Sequence, residues 1–513
     1  MQALSPTETP PRGRLSSVIR NTLSILGSDI ANRASSFALY ALIGRFLGEF
    51  AFGQTQLALG FFFVGWSLAG LGIKWYITRE LSKHPEQTSE YLVNASALIL
   101  ISAPLIFIAL CVLVALSGYG AETTLAILIM GITIIPYALI MVIEGVFMGR
   151  EKMQFVFYVN APLNILNIVV SFLALSMGAG ILVIMGIQVM AYLLILGIEW
   201  FLMLRYVVRP RFQVDLTVVR SLFKGTRSFS GIDATVALMT IIQPYIISRV
   251  ASETEVGFYG AAGQLTSPIM LIIMSVMNSL LPALTRQVSA GYETLKVSAQ
   301  RLLEVTFAIT MPAVTGVILL APQILIFLYG RDSFASAALY LRILITVLLI
   351  RAIIQVIGML LYASSNESVN FRITVIVSLT SLVMNIIIVS QFEALGAAIT
   401  SVALNLLDLC LHYFFIWKRL RIVVNPLPSI WRPALASAAL SVALWQLPHE
   451  WNLLILVTAG AVIYAAAYGA LLLLTIGSPA AIRAYYLRHA QPSEAEAALR
   501  SAHLIESDQG AHP

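Results

Sequence analysis

Apolar stretches of about 20 residues follow one another along almost the whole chain, and this succession is the strongest constraint on its fold. In hydrocarbon only α-helices and closed β-barrels satisfy every backbone N–H and C=O, and the stretches lack the polar–apolar alternation of barrel strands. Of the 513 residues, 59% are hydrophobic and only 11% are charged, against roughly 25% in soluble domains. The sequence therefore predicts an all-α polytopic membrane protein.

The apolar stretches predict about fourteen transmembrane helices, because each stretch is long enough to cross about 30 Å of hydrocarbon. The predicted spans form two groups of six and a final pair. They lie near residues 18–44, 50–76, 91–117, 123–149, 153–177 and 181–206, then 228–249, 256–285, 300–328, 334–362, 371–391 and 394–417, and finally 431–447 and 452–476.

The basic residues give the predicted spans a direction. With an even number of spans and both termini in the cytoplasm, most of the 31 Lys and Arg residues fall at inner positions, and outer loops hold only Arg45, Arg249 and Arg331. The net charge of +6 is thus a topology signal, and it does not indicate a nucleic-acid partner. A multi-pass membrane protein with both termini in the cytoplasm follows.

One polar phrase occurs twice in predicted outer loops, as IGRFLGEFAFGQ at 43–54 and ISRVASETEVGFYG at 247–260. Downstream, a constant shift of about 207 positions aligns Gly53 with Gly260 and the inner segment ITRELS with LTRQVS. Six spans separate the copies, so the repeat is parallel, with a pseudo-twofold axis along the membrane normal. The pattern predicts two six-helix lobes and a substrate cleft at their interface.

The repeat and the charge pattern together divide the chain into six predicted segments. They are a cytoplasmic N-terminal segment 1–17, an N-lobe 18–206, a basic cytoplasmic linker 207–227 with an amphipathic stretch, a C-lobe 228–420, two further helices in 421–477, and a cytoplasmic tail 478–513.

Charged residues inside predicted spans are costly, about 2.5–3.5 kcal/mol on insertion scales, so they mark candidate sites. Asp29 and Arg33 are spaced i,i+4 and share one face of the first helix. Either they only neutralise each other, or Arg33 binds an anionic head group and Asp29 is its competing counter-charge. Asp233 and Asp408 are, with Asp29, the candidates for a proton- or sodium-linked step. Arg351 lies centrally in the tenth span.

Three other acidic residues lie in the inner halves of their spans. For Glu144, Glu199 and Glu304 we expect the side chains to extend to the cytoplasmic surface.

Catalytic signals are missing from the sequence. It contains no phosphate-cradling Gly-Lys-Ser/Thr loop, no outer loop long enough for a catalytic domain, and no His/Cys/acid cluster with metal-ligand spacing. We therefore expect a transporter and not an enzyme, without a cofactor and with H⁺ or Na⁺ as the coupling ion.

Three segments carry a resemblance to a known family: GRFLGEFAFGQ, the inner REL ending, and FLYGRDSFASAALYLRIL at 327–344. The chain resembles the oligosaccharide flippases, the Wzx-like branch of the multidrug/oligosaccharidyl-lipid/polysaccharide superfamily. The resemblance implies a bacterial inner-membrane protein that moves polyprenyl-diphosphate-linked oligosaccharide by alternating access, as an ion antiporter. Its partners would be that lipid-linked substrate, membrane lipid, and polysaccharide polymerase or assembly proteins.

On this resemblance the substrate cleft is cationic. Arg33 is the first choice for a diphosphate contact, Lys74, Arg286 and Arg351 are further choices, and Asn278 is the polar residue at mid-depth of the eighth span. The second span is almost uncharged, so the cleft is predicted to be less basic than in peptidoglycan-precursor flippases.

Three alternatives remain open at this point. A cation-coupled multidrug exporter of the same superfamily would need acidic, aromatic-lined sites, against which Arg33 argues. A polymerase or ligase of polysaccharide assembly would need a long periplasmic loop, which the sequence does not contain. A non-transporting partner of an export complex would not need the internal repeat.

Overall fold

A computed structural model describes residues 12–288, 292–364, 366–421, 423–448 and 451–482. These ranges form seventeen α-helices joined by turns and short 3₁₀ or π segments, and they contain no β-strand. The all-α class predicted from the unbroken apolar runs is confirmed.

The helices are numbered in chain order. The first eight are α1 (Arg12–Leu47), α2 (Glu49–Gly70), α3 (Ile73–Lys83), α4 (Thr88–Ser117), α5 (Ala121–Ile132), α6 (Ile134–Gly149), α7 (Gln154–Ser176) and α8 (Ile181–Tyr206). The remainder are α9 (Leu216–Gly225), α10 (Arg227–Val250), α11 (Glu253–Val288), α12 (Tyr292–Tyr329), α13 (Ala338–Ala363), α14 (Glu367–Met384), α15 (Ser390–Leu420), α16 (Leu427–Gln446) and α17 (Leu453–Ile476).

In the described ranges, 11 segments are long and apolar enough to cross a membrane, and a shorter apolar helix covers Ala237–Val250. One of the 11, Ser368–Leu420, is 53 residues long, more than twice what one crossing needs. Its backbone leaves helical geometry at Glu393, where φ is 54° and ψ is −136°. The chain is thus a multi-pass membrane protein, and the number of fourteen spans stays a prediction.

The described residues pack into two compact units. The first contains residues up to Ala261 together with Leu328–Phe334 and Leu382–Ala397, and the second contains Ala262–Phe327, Ala335–Ser381 and the residues from Ala398 onward. The predicted segment boundaries, which follow the repeat, stay a prediction.

The predicted span 50–76 is not one helix. It ends as α2 at Gly70, and the chain restarts as α3 at Ile73 after two residues with left-handed backbone, Leu71 (φ 51°) and Gly72 (φ 65°). Hydropathy does not reveal this break, because the residues around it remain apolar. Non-helical backbone at membrane depth is tolerated only where protein or a cavity surrounds it.

Helix α3 lies against α6 with almost no space between the backbones. A methyl group on Gly145 would lie 2.9 Å from the carbonyl oxygen of Lys74, and one on Gly149 would lie 2.7 Å from the side chain of Leu81. The hydroxyl of Thr78 donates to the carbonyl oxygen of Gly145 at 3.3 Å. Two glycines four residues apart thus allow the close helix approach that is common in membranes, and they bring Lys74 against α6.

The amphipathic stretch predicted in the basic linker is the short helix α9. Asp215 caps its first turn, because its carboxylate accepts hydrogen bonds from the hydroxyl of Thr217 at 2.6 Å and from the backbone N–H of Thr217 at 2.7 Å. These hydrogen bonds hold the pKa of Asp215 below its usual value. Leu222 of α9 is buried, as the predicted amphipathic pattern requires.

The repeated phrase forms a reciprocal contact inside the first unit, where the start of α2 meets the start of α11. A methyl group on Gly53 would lie 1.7 Å from the carbonyl oxygen of Glu253, and one on Gly257 would lie 2.0 Å from the carbonyl oxygen of Glu49. The counterpart of Gly53 in this contact is Gly257, not Gly260 as the constant shift predicts. The phrase recurs because both helices need a glycine four residues after a glutamate.

The two glutamates of this contact are also bonded in matching ways. The hydroxyl of Ser333 donates to Glu49 Oε2 at 2.9 Å, and the hydroxyl of Thr123 donates to Glu253 Oε1 at 3.4 Å. Thr123 lies in the first turn of α5, and Ser333 lies shortly before the first residue of α13. The pattern is what a pseudo-twofold repeat produces.

We expect Gly53→Ala and Gly257→Ala each to destabilise the protein, because an added methyl group would force α2 and α11 apart. Overpacking of a tight contact costs about 1–3 kcal/mol. The atoms that the added methyl group would meet belong to the backbone of the facing helix, so a side-chain rotation cannot relieve the clash. The loss of stability is measured by heating each detergent-solubilised variant and determining by size-exclusion chromatography how much folded protein remains at each temperature.

Gly263→Ala in α11 is the matched control, because no atom lies within 4 Å of the added methyl group. Its expected effect is neutral or a gain of up to about 1 kcal/mol from helix propensity. Equal stability of all three variants would contradict the proposed contact.

Candidate functional site

The first unit contains a cavity of about 530 Å³. Residues of α1, α2, α3, α6, α7 and α8 line it, and the broken backbone between α2 and α3 contributes Gly70 and Gly72. The cavity explains why the chain can leave helical geometry at this point, since irregular backbone is tolerated beside a cavity. It is the candidate functional site.

An ion pair lies in the wall of this cavity. Lys74 Nζ donates to Glu144 Oε2 at 2.5 Å, and Asn160 Nδ2 donates to Glu144 Oε1 at 3.3 Å. The side chain of Lys74 is 26% exposed and that of Glu144 is 9% exposed. The prediction that Glu144 extends to the membrane surface is therefore wrong: it turns inward, because a cation seventy residues earlier in the chain meets it there.

Helix α7 presents a row of asparagines at positions i, i+4 and i+7. Asn160 bonds Glu144 of α6, Asn164 donates to the side chain of Asn32 of α1, and Asn167 donates to Gln188 Oε1 of α8 at 3.0 Å. One face of α7 is thus bonded to three neighbouring helices. It leaves amide groups of Asn32, Asn160 and Asn164 at the cavity surface.

Aromatic rings form another part of the wall. Tyr137 lies between Trp66 and Tyr192, with ring centroids 5.1 Å and 5.2 Å away, and Phe62 packs on Tyr137 from behind at 5.2 Å. Tilted and edge-on arrangements at these distances are ones that aromatic pairs prefer. The cavity therefore offers an aromatic surface together with amides and one ion pair.

Glu199 of α8 is completely buried, one helical turn beyond Ile195 of the cavity wall. Among the described residues, neither of its carboxylate oxygens has a hydrogen-bond partner. The charged groups that act on it electrostatically are Glu144 and Lys74. The prediction that Glu199 reaches the membrane surface is wrong, because α8 turns it toward the protein interior.

Glu304 is also buried and not at the surface, contrary to prediction. Its Oε1 accepts a hydrogen bond from Arg432 Nη1 of α16 at 2.7 Å, in the second unit. Ser429 of α16 donates to the carbonyl oxygen of Gln300 at 2.7 Å. These contacts join α16 to α12 and give Glu304 a structural role.

Of the predicted cationic ligands Lys74, Arg33 and Arg351, only Lys74 lines the first cavity. Arg33 is exposed on α1 and does not line it, although its neighbours Asn32 and Ser36 do. Arg351 belongs to the second unit, where its Nε donates to Asn405 Oδ1 at 3.0 Å.

A second cavity, of about 550 Å³, lies in the second unit and includes the predicted ion-coupling residue Asp408. The Asp408 carboxylate lies 2.9 Å from Nδ1 of His412, which is largely buried. Asn370 also lines this cavity and donates to the carbonyl oxygen of Gly358 at 3.1 Å. Met277 of this lining is the residue that the predicted shift of 207 positions pairs with Gly70 of the first cavity.

The side chains of Asp29, Asp233, Asn278 and Arg286 lie outside the described residues. Their predicted roles in binding the substrate or the coupling ion stay predictions.

Sequence reasoning did not select Trp66, Tyr137, Asn160, Tyr192 or Glu199. The spacing of the three asparagines in α7 was a usable signal, since amides on one face of a membrane helix need polar partners. The aromatic residues carried no such signal, because Trp and Tyr also occur at the membrane–water interfaces of ordinary spans.

Two family profiles and the helical fold place the chain in the multidrug/oligosaccharidyl-lipid/polysaccharide superfamily. A family profile described as "Polysaccharide biosynthesis protein" matches residues 18–288, more than half of the chain, and the chain belongs to that family. A profile described as "MatE" matches residues 232–387.

Among characterised proteins, the "Probable low-salt glycan biosynthesis flippase Agl15" of Haloferax volcanii is 23% identical over 172 residues. The match spans 33% of this chain and 36% of that relative, about a third of the length of each.

Solved structures share the fold at low identity. A lipid II flippase MurJ in an inward closed conformation matches with a TM-score of 0.70 and 15% identity over 92% of this chain and 99% of its own. An inward-facing multidrug resistance MATE family transporter matches with a TM-score of 0.60 and 14% identity over 75% and 93%. A transporter of the superfamily from Pyrococcus furiosus, described as having a binding pocket of reverse polarity, matches with a TM-score of 0.53 and 14% identity over 79% and 95%.

We expect Lys74→Met to destabilise the protein, because it leaves the buried Glu144 carboxylate without its counter-charge. Breaking a buried pair costs about 3–5 kcal/mol, and the partial exposure of Lys74 places this variant at the lower end. Adding Glu144→Gln to the same chain should recover most of the lost stability, because it removes the uncompensated carboxylate. Denaturant unfolding of wild type, both single variants and the double variant yields the coupling energy, and a double variant as unstable as Lys74→Met would contradict the pairing.

Proposed function

We propose that this chain translocates a polyprenyl-diphosphate-linked oligosaccharide, a precursor of surface polysaccharide, across the bacterial inner membrane. Translocation would proceed by alternating access, driven by a proton or sodium gradient, with both termini in the cytoplasm. The membership in a polysaccharide biosynthesis family and the partial similarity to a glycan flippase support this choice of substrate.

The observation that carries the proposal is the mixed lining of the first cavity. A sugar ring needs two kinds of surface: donors and acceptors for its hydroxyl groups, and an apolar plate for its C–H faces. Asn32, Asn160 and Asn164 supply amides that both donate and accept, and Trp66 and Tyr137 supply fixed rings.

The head group makes a different demand, because a diphosphate needs cationic donors. Lys74 is in the cavity wall and partly exposed, and Arg33 lies on α1 beside residues that line the cavity. A hydrated cavity of this kind lowers the cost of moving a charged head group and its sugars through hydrocarbon. No covalent bond has to be made or broken, so we propose a transporter without enzymatic activity or cofactor.

The second candidate is a cation-coupled multidrug exporter, which the match to the MatE profile over residues 232–387 favours. A cationic drug would need an acidic group to receive it. In the first cavity the carboxylate of Glu144 already contacts Lys74, so the site offers little net negative charge. We therefore rank this function second.

We expect purified protein in liposomes to flip a fluorescent short-chain polyprenyl-diphosphate sugar, measured by protection of the probe from an impermeant quencher. Trp66→Ala should lower the rate at least about tenfold by removing the ring against which a sugar packs, which corresponds to about 1.4 kcal/mol. Arg33→Ala should lower it by a similar factor, and the effect should be larger for the diphosphate probe than for a monophosphate one.

Trp445→Ala and Arg372→Ala are the matched controls, since both side chains are exposed and neither lines either of the two cavities described above. They should retain the wild-type rate. Absence of flipping under either ion gradient, together with gradient-driven uptake of a cationic dye, would replace the proposed function by the multidrug exporter.

A further inference from the structure

The connection between α8 and α10 carries an excess of positive charge. Helix α8 is long and apolar enough to cross a membrane and ends at Tyr206, so the connection begins at the membrane surface. Residues 205–224 contain five basic side chains and one acidic side chain. The basic ones are exposed, and none forms an ion pair with another described residue: Arg205, Arg209, Arg211, Arg220 and Lys224.

The single acidic residue of the connection does not neutralise these cations. Asp215 is the N-cap of α9, and its carboxylate accepts hydrogen bonds from the hydroxyl and the backbone N–H of Thr217. The cations must therefore find their counter-charges outside the described part of the chain.

Large apolar side chains are exposed beside these cations. Phe212 is 77% exposed and Leu216 is 78% exposed, and Val214 and Phe223 are exposed as well. In water such side chains would each leave a large apolar area unburied, at a cost in free energy that grows with the area. Their exposure therefore indicates a surface that something apolar covers.

Helix α9 separates a buried side from this exposed side. Successive residues of an α-helix are rotated by about 100° around its axis. Leu216, Arg220, Phe223 and Lys224 therefore fall on one side of α9, and the buried Leu222 falls on the other. Cations and apolar groups thus share one face of the helix.

The opposite side of α9 is attached to helices of the first unit. The backbone N–H of Asp215 donates to Oδ1 of the buried Asn94 in α4 at 2.7 Å. At the other end of α9, a methyl group on Gly225 would lie 2.1 Å from the ring of Tyr76 in α3. The exposed face is therefore held in a defined position, facing away from α3 and α4.

A membrane surface provides both of the environments that this face needs. Phosphate head groups supply anionic counter-charges, and the adjoining acyl chains cover apolar side chains. A position at the end of a membrane-spanning helix brings the face within reach of both. An acidic soluble protein would supply the charges, but it would not account for the position at the membrane.

We infer that the exposed side of residues 205–224, the linker surface, binds anionic phospholipids of the surrounding membrane. Their phosphate groups contact the basic side chains, and the exposed apolar side chains enter the boundary between head groups and acyl chains. The inference concerns the lipid around the protein and does not depend on the transported substrate. It holds equally for a glycan flippase and for a multidrug exporter.

The experiment measures lipid binding to the full chain by native mass spectrometry. The protein is released from micelles that contain equal amounts of phosphatidylglycerol and phosphatidylcholine with identical acyl chains. Wild type should retain phosphatidylglycerol in preference. Lys224→Gln should lower the affinity for phosphatidylglycerol about fivefold, and adding Arg220→Gln should lower it about fivefold again, because each basic side chain at a membrane surface contributes about that factor.

Lys83→Gln in α3 is the matched control. Lys83, like Lys224, is an exposed lysine in the last turn of its helix and forms no ion pair with another described residue. The residues around it, SKHPEQ at 82–87, include no large apolar side chain. Its substitution should leave the affinity for phosphatidylglycerol unchanged.

Two further variants separate charge from apolar contact. Arg220→Lys keeps the charge and should keep the preference for phosphatidylglycerol. Leu216→Ser should lower the affinity for both lipids and leave the preference between them intact, because the cations remain. Each side chain is exposed, so the variants should elute as folded protein in size-exclusion chromatography.

Equal retention of the two lipids by wild type would overturn the inference. So would a preference for phosphatidylglycerol that the double variant Arg220→Gln/Lys224→Gln retains in full. Binding of a polyglutamate peptide to wild type but not to the double variant, without a lipid preference, would instead assign the linker surface to an acidic protein.

Discussion

The cost of placing charge inside an apolar protein decides where the polar residues of this chain lie. Two buried acidic groups have a partner from a distant part of the sequence, Glu144 with Lys74 and Glu304 with Arg432, and the half-buried Asp408 lies beside His412 one turn later in the same helix. The pairs Lys74–Glu144 and Arg432–Glu304 each join two helices, and losing one partner would leave a buried charge without compensation. The helices must therefore pack so that these pairs can form.

Close backbone approach is what allows the pair at the first cavity to form. Lys74 reaches Glu144 because Gly145 and Gly149 let α3 lie against α6, and because the chain turns through Leu71 and Gly72 before α3 begins. A continuous helix over residues 50–76 would carry Lys74 on along the axis of α2. The same break opens the wall that the cavity needs. Small residues and a local departure from helical geometry thus create the site, whereas the charges stabilise it.

Much of the fold was predictable from the sequence, because hydropathy reports which segments lie in the membrane and charge patterning reports amphipathic connections such as α9. The repeated phrase was also recognisable, but its register was not: the sequence aligned Gly53 with Gly260, whereas the structure gives Gly53 and Gly257 matching contacts. The burial of Glu144, Glu199 and Glu304 was not predictable. Hydropathy places a residue at a depth, but the direction of its side chain depends on helix rotation and on partners such as Arg432 that are distant in sequence.

The candidate site was predictable only in part, because Lys74 is visible as a charge whereas the ring wall of Trp66, Tyr137 and Tyr192 is indistinguishable in sequence from other membrane aromatics. The resulting cavity has little net charge while Lys74 contacts Glu144. An occupant is then recognised mainly through its uncharged parts, by amides and rings, and its anionic part gains Lys74 only at the expense of the existing pair. For a lipid-linked oligosaccharide this division is useful, since tight phosphate binding alone would hold every polyprenyl diphosphate equally and would slow its release. Selection by the sugar, with a phosphate contact weakened by Glu144, is consistent with a protein that must both recognise and let go of its substrate.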